Sequence, residues 1–347
     1  MKRNGKIEIL RFVLCIVVIL YHINNDLWNG NMTFNGVISF FDHGRTCVEF
    51  FFLLSGFLMA KSAYSKPLAK DMSIGKDTVS FVYKKIQGVW IPYVILSAAM
   101  IIYIPFGFKN PLERIISRLP SLLFLQRTGI EDGGFISVSW YLSSLFFAIA
   151  VIYPFLRKFY DYISLVAAPL VASIAIGALI HIRGSFPQES YGGFIHLSNI
   201  RAIAVVLLGV FAFRVSLYLK EANLSKSKWR LLIITENLCW LISLYYLISV
   251  HSNRYEGHIT YLMAAAIAIS FARDYKSKLY NSSLAAYLGR ISLPIYLAQS
   301  IVRTVINQNL DHLNNWVQAA LIVAVTIVLG TILDWITTYI KKKKAVN

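Results

Sequence analysis

The chain contains ten apolar segments of roughly twenty residues, the length of helix that crosses a bilayer's hydrocarbon core. They lie near residues 7–23, 47–60, 89–106, 138–156, 162–180, 199–219, 230–250, 257–272, 284–306 and 315–340. A soluble protein would place charged faces between its apolar residues, but here hydrophobic residues make up 57% of 347. The pattern predicts an all-α polytopic membrane protein, with one membrane domain over 1–340 and a short basic tail at 341–347.

The distribution of positive charge predicts the orientation of these spans. The net charge is +17, and the chain contains 34 lysines and arginines. With the N-terminus in the cytoplasm, 23 of them lie in cytoplasmic segments and 9 in outer segments, while Arg11 and Arg290 lie within spans. Because cytoplasmic loops of membrane proteins are enriched in Lys and Arg, this bias places both termini inside. It also explains the basic charge without a nucleic-acid partner, and none is expected.

Three smaller features complete the organisation. The start "MKRNGK" precedes an apolar run without a small-residue cleavage site, which favours a retained first helix over a removed signal peptide. The loop 107–137 mixes apolar and basic residues, which predicts an interfacial or re-entrant helix. The three cysteines, Cys15, Cys47 and Cys239, have no paired spacing, so neither a disulfide framework nor a metal site is expected.

The first span carries two ionisable residues, Arg11 and His22, in the stretch "LRFVLCIVVILYH". At ~100° per residue, eleven residues are three turns plus ~20°, so both side chains share one face, about 16 Å apart along the axis. Glu8, one turn before Arg11, can pair with it, and Asp26, one turn after His22, can fix its tautomer. The structural alternative is that Arg11 reaches lipid phosphates and His22 caps the outer end.

Other polar residues in the spans are candidates for a site or for internal pairing, because ionisable groups are costly in a bilayer. Arg45 and Glu49 have the i, i+4 spacing of an ion pair. Ser55 and Gly56 are better explained by close helix packing. Further candidates are Glu236, Arg290 and Asp334, together with Pro294, which bends its helix. Lys84 and Lys85 stand at the membrane boundary, where they can bind lipid headgroups or a polyphosphate.

Taken together, these motifs resemble the acyltransferase-three family of bacterial integral membrane O-acyltransferases. That family has an Arg, ten residues and then a His in its first helix, matched here by Arg11 and His22. Its Phe-Phe-x-x-Ser-Gly-Phe signature is matched by "FFLLSGF" at 51–57. "WYLSSLFFAIAVIYP" at 140–154 and "LGRISLPIYLAQS" at 288–300 are also similar to members, in the same order.

The resemblance implies a membrane-bound O-acyltransferase of the bacterial plasma membrane. Such an enzyme moves an acyl group, most often acetyl from acetyl-CoA, from cytoplasmic acyl-CoA to a hydroxyl of a cell-surface or envelope saccharide. His22 and Arg11 are then the catalytic candidates, and Lys84 and Lys85 the acyl-CoA candidates. Candidates for substrate binding are Glu8, Arg45, Glu49, Ser55, Trp140 and Tyr296. Expected partners are the glycan acceptor, membrane lipids and possible envelope polysaccharide synthesis machinery, with no metal cofactor.

The sequence departs from the family pattern at two places. Arginines often precede the proline of the third helix in that family, but here the stretch is "KKIQGVWIP". Many relatives have a His where this chain has Gln299, so a mechanism that needs a second histidine there cannot operate, and more depends on His22. Two other classes of function stay open: a non-catalytic transporter or flippase of lipid-linked sugars, and a scaffold or sensor within an envelope-synthesis complex.

Overall fold

The structure is a computed structural model and describes residues 4–34, 38–68, 72–130, 133–186, 190–191, 195–249, 253–273 and 277–346. Long helices dominate these ranges. They are α1 (Gly5–Trp28), α2 (Cys47–Ser65), α3 (Ile74–Gly107), α5 (Trp140–Lys158), α8 (Leu197–Glu221), α9 (Lys226–Ser249), α10 (Glu256–Ala272), α11 (Ser283–Asn309) and α12 (Asn315–Val346). One further long helix, Tyr160–Arg183, consists of α6 (Tyr160–Tyr162), a π-helical turn (Ile163–Ala167) and α7 (Ala168–Arg183).

The prediction of an all-α polytopic membrane protein is confirmed. Within the described residues, eight helices are long and apolar enough to cross a membrane. The predicted spans 257–272 and 284–306 also form helices, α10 and α11, but these are not among the eight. The α10 helix has only 17 residues, and α11 carries Arg290, Gln299 and Arg303 along its 27 residues. That these two helices cross the bilayer therefore stays a prediction.

The remaining elements are short. The loop 107–137 contains the helix α4 (Pro111–Arg118) and a 3-10 turn (Leu119–Leu123), so its predicted helix exists, while residues 131 and 132 lie outside the described part. Two pairs of antiparallel strands are present, and each strand has two residues. The pairs are β1 (Thr33–Phe34) with β2 (Ile38–Ser39), and β3 (Ser190–Tyr191) with β4 (Ile195–His196). The predicted tail continues α12 as far as Val346, and residue 347 is outside the described residues.

Two compact units make up the chain. The first unit contains Met1–Arg45, Ile86–Ser143 and Lys278–Asn347, and the second contains Thr46–Lys85 and Ser144–Ser277. Both are assembled from segments that are distant in sequence.

In the first unit α1 lies against α11, and the two helices run in the same direction. The backbone of Gly289 approaches the Glu8 carboxylate so closely that an added Cβ would lie 1.6 Å from Glu8 Oε2. Further along, Cys15 Sγ donates to the Ser292 carbonyl at 3.2 Å. Near the end of α1, Asp26 binds Arg303. Contacts that ascend together along both helices require a parallel pair, as expected for a first and a ninth span.

In the second unit α2 packs against α8 through glycines. An added Cβ on Gly56 would lie 2.0 Å from the Val206 carbonyl oxygen, and one on Gly209 would lie 2.1 Å from the Leu53 carbonyl oxygen. Backbones can approach this closely only without a side chain, which is how small residues pack membrane helices. The packing role predicted for Gly56 is therefore confirmed.

The charge bias gives a testable topology. Asn31 and Lys228 are both exposed, and the three native cysteines are buried, so background labelling should be low. We expect Asn31→Cys to react with a membrane-impermeant maleimide in intact cells and Lys228→Cys to react only after permeabilisation. Labelling of both positions in intact cells would contradict the orientation with cytoplasmic termini.

Candidate functional site

The α1 helix is continuous from Gly5 to Trp28, so the predicted common face of Arg11 and His22 exists. Arg11 Nη1 donates to Glu8 Oε2 at 2.9 Å, which confirms the pair that the spacing predicted. Asp26 differs from prediction. Its carboxylate accepts two hydrogen bonds from Arg303, both at 2.7 Å, and one from Asn307 at 2.9 Å, and it makes no hydrogen bond to His22 within the described residues.

His22 nevertheless lies beside this cluster. The ring of Tyr21 is 5.1 Å from the imidazole, centroid to centroid, and Asp26, which binds Arg303, is one helical turn further along α1. The carboxylate that the sequence assigned to His22 is thus paired with a cation from α11. A carboxylate was expected because i, i+4 spacing is local, whereas the Arg303 contact is between helices.

A cavity of about 490 Å³ opens at the N-terminal end of α1, and we call it the Arg11 cavity. Arg290 at its wall binds Asp334 through Nε at 3.0 Å. Basic side chains are frequent in its lining: Arg11, Arg290, Lys341 and Lys342. Gly88 and Pro92 of α3 and Pro294 of α11 also contribute. The arrangement suits a polyanion, since four cations face a single described acid in the lining, Asp334.

A second recess lies toward the other end of α1, and we call it the Arg114 cavity. It consists of a part of about 280 Å³ and an adjoining part of about 290 Å³, which share Arg114, Phe108, Ser137, Ser300 and Thr304. Asp26 and Arg303 line the adjoining part. His22 is not among the residues that line either cavity. It is four residues before Asp26, about 6 Å along the axis of α1, so its level on the helix lies between the two cavities and nearer to the Arg114 cavity.

Trp140 and Tyr296, both predicted to bind substrate, take different positions. Trp140 lines the Arg114 cavity, and the Arg127 guanidinium lies 5.8 Å from its ring centroid. Tyr296 is buried, and its hydroxyl donates to the Val138 carbonyl at 3.0 Å. Tyr296 therefore holds the segment that leads into α5 and thereby positions Trp140.

Glu49 and Ser55, in the second unit, make contacts that hold the fold. Arg201 of α8 donates to the Glu49 carboxylate, with Nε at 2.7 Å from Oε1, and both side chains are fully buried. Ser55 donates to the Phe51 carbonyl of its own helix at 2.7 Å. The proposed Arg45–Glu49 pair stays a prediction, as do the substrate-binding roles of Arg45, Glu49 and Ser55.

The remaining charged candidates outside the two cavities are Glu236, Lys84 and Lys85. Glu236 accepts from Ser270 at 2.6 Å and from Arg273 at 3.1 Å, an internal network. Lys84 is exposed, and Lys85 Nζ lies 5.2 Å from the Phe81 ring centroid, so their predicted donor role is untested.

Sequence reasoning missed Arg114, Arg303, Lys341 and Lys342 as site residues. Lys341 and Lys342 were used only to predict the orientation of the spans. The sequence could have indicated them because they directly continue the apolar segment that forms α12. Among the described residues, no group of three His, Cys, Asp or Glu side chains could hold a metal ion.

Comparison with known proteins gives one match. A profile described as an acyltransferase domain matches residues 4–335, which is nearly the whole chain. No curated protein and no solved structure matches the chain.

The Glu49–Arg201 pair gives a test of structure against substrate binding. Removing one partner of a buried ion pair leaves an unpaired buried charge, which costs about 3–5 kcal/mol. We expect Glu49→Gln and Arg201→Gln each to lower the thermal unfolding temperature of the detergent-solubilised protein. The control is Asp161→Asn, which breaks the exposed Asp161–Arg214 pair and should change stability little. If Glu49→Gln lowered activity but left unfolding unchanged, its role would be in binding.

Proposed function

The chain belongs to the acyltransferase-three family, and we propose that it transfers an acyl group from acyl-CoA to a saccharide hydroxyl. Membership supports an acyl-transferring membrane enzyme. The finer proposal is an O-acetyltransferase that uses acetyl-CoA from the cytoplasm and a cell-surface or envelope glycan as acceptor. The observation that carries it is the position of His22 on one continuous helix between two cavities.

We assign the donor to the Arg11 cavity. Coenzyme A carries several phosphate groups, and phosphates bind well to guanidinium and ammonium groups. Arg11 and Arg290 are held by Glu8 and Asp334, so their guanidinium groups are oriented before a ligand arrives. Lys341 and Lys342 add charge at the end of the predicted cytoplasmic helix. Lys84 and Lys85 remain candidates for an additional donor contact.

His22 is the proposed group for proton transfer. An acceptor hydroxyl is a weak nucleophile, and a neutral imidazole can take its proton as the oxygen attacks the thioester carbonyl. The carbon–sulfur bond then breaks, and the coenzyme leaves as a thiol after protonation. In the second possible route, the imidazole attacks first and carries the acyl group to the hydroxyl. Both routes require His22, and an oxyanion forms in both.

The proposed location is a bacterial plasma membrane, with the acceptor approached from the outer side. The basic residues of the Arg11 cavity then face the cytoplasm, where acyl-CoA is available. Membrane lipids surround the exposed apolar faces, and the envelope polysaccharide synthesis machinery is a proposed partner.

Replacing His22 tests the catalytic assignment. A general base contributes typically 10²–10⁴-fold, so we expect His22→Ala to lower glycan acetylation at least a hundredfold in a deletion strain complemented with the variant. His312→Ala is the matched control, because His312 is exposed and lies in the connection between α11 and α12. Full acetylation by His22→Ala at normal expression would exclude both routes.

The donor assignment makes a separate prediction. Two exposed cations contribute about 1 kcal/mol each to phosphate binding at most, so neutralising both should raise the KM for acyl-CoA about three- to tenfold. We expect this from Lys341→Gln with Lys342→Gln, at nearly unchanged kcat. Lys226→Gln with Lys228→Gln removes the same charge from exposed positions elsewhere and should leave KM unchanged. Equal effects of the two double variants would assign the tail to general lipid attraction.

A further inference from the structure

The part of the Arg114 cavity of about 280 Å³ has an unusual composition. Its described lining residues include three arginines, Arg114, Arg118 and Arg127, and no acidic residue. Glu131 and Asp132 are next to it in sequence but lie outside the described residues. In the adjoining part, Arg303 is already paired with Asp26. Arg114 lines both parts of the cavity.

These guanidinium groups are positioned by rings and backbone. Arg114 lies 3.8 Å from the Phe108 ring centroid, and Arg118 Nη1 donates to the Gly134 carbonyl at 3.1 Å. Arg127 lies over Trp140. The Phe108 ring orients the Arg114 guanidinium but does not neutralise its full charge.

Arg114 itself is only partly satisfied. Its Nε is buried and has no hydrogen-bond partner within the described residues. Burial lowers the pKa of its guanidinium below the ordinary value, although arginine stays charged. A partly desolvated cation without a hydrogen-bonded counter-ion at Nε is costly, and an oxyanion bound there would offset that cost.

Neutral polar groups and an aromatic ring stand around the same space. Gln126 Nε2 donates to Ser139 Oγ at 2.7 Å, while its buried Oε1 has no hydrogen-bond partner in the described part of the chain. Ser137 and Thr304 line the same part, where their hydroxyls are hydrogen-bonded to Ser300, and Trp140 contributes part of its ring. A volume of about 280 Å³ is at the lower end of small-molecule pockets, which suits one sugar residue with a charged substituent.

We propose that the Arg114 cavity is the acceptor subsite for an anionic saccharide, with Arg114 binding a carboxylate or phosphate carried by the sugar. The statement that the bound sugar is the acceptor rests on the proposed function. The binding of an anionic sugar does not, because it requires no acyl transfer. Carboxylate and phosphate each offer two oxygens that a guanidinium can bind through two parallel N–H groups. A lipid headgroup offers phosphate too, and the test separates the two sources.

The experiment measures binding to the full chain in nanodiscs of zwitterionic phosphatidylcholine, by microscale thermophoresis. The probes are glucose, glucuronate, glucose 6-phosphate and glycerol 3-phosphate. We expect one of the charged sugars to bind at least tenfold more tightly than glucose, with a preference that falls as salt is added. Arg114→Gln should remove most of that preference. Lys109→Gln should keep it, because Lys109 carries the same charge, lies two residues before the same helix and is exposed outside the lining.

Three results would overturn the proposal: equal binding of charged and neutral sugars, equal preferences in Arg114→Gln and wild type, or glycerol 3-phosphate binding as tightly as glucose 6-phosphate. If Arg114→Gln does not fold, Arg114→Lys is used instead. It keeps the positive charge but cannot form two parallel hydrogen bonds, so it should lose part of the preference for charged sugars. A preference for charged sugars in a chain that transfers no acyl group would leave this proposal standing and refute the proposed function.

Discussion

The parallel contact of α1 with α11 determines how the first unit presents its charged groups. The contact begins where the Gly289 backbone meets the Glu8 carboxylate, and any side chain at Gly289 would collide with that carboxylate. Because Glu8 also binds Arg11, this one close approach brings Arg11 to the level of Arg290. The same helices meet again where Asp26 binds Arg303. One register thus forms a wall of both cavities.

Ionisable residues inside a membrane protein are usually taken as signs of function. Here some of them form internal ion pairs, and others line a cavity. Glu49 with Arg201 and Glu236 with Arg273 are internal pairs in the second unit, where the charges offset each other. In the first unit, Arg11 and Arg290 are paired on one side and still face a cavity. A cation at a cavity wall can therefore be oriented by its ion pair and still be available to bind a ligand.

Periodic and local features could be read from the sequence, and contacts between helices could not. Ten apolar segments predicted ten long helices, and helical spacing predicted the Glu8–Arg11 pair and the common face of Arg11 and His22. The same local reasoning assigned Asp26 to His22, although α11 supplies Arg303 instead. The Arg114 cavity depends on where the loop helix α4 packs, and the periodicity of the sequence does not predict that position. Family motifs marked Trp140 but gave no reason to notice the arginines beside it.

The distances along α1 constrain what kind of donor the proposed chemistry can use. Arg11 and His22 are about 16 Å apart along the axis, whereas His22 and Asp26 are only about 6 Å apart. A donor whose anionic groups bind at Arg11 must therefore carry its acyl group on an extended arm to reach the imidazole. A thioester of coenzyme A has such an arm, and a compact acyl phosphate does not. The acceptor needs less reach, because the adjoining part of the Arg114 cavity is lined by Asp26, about one helical turn from the same histidine along α1.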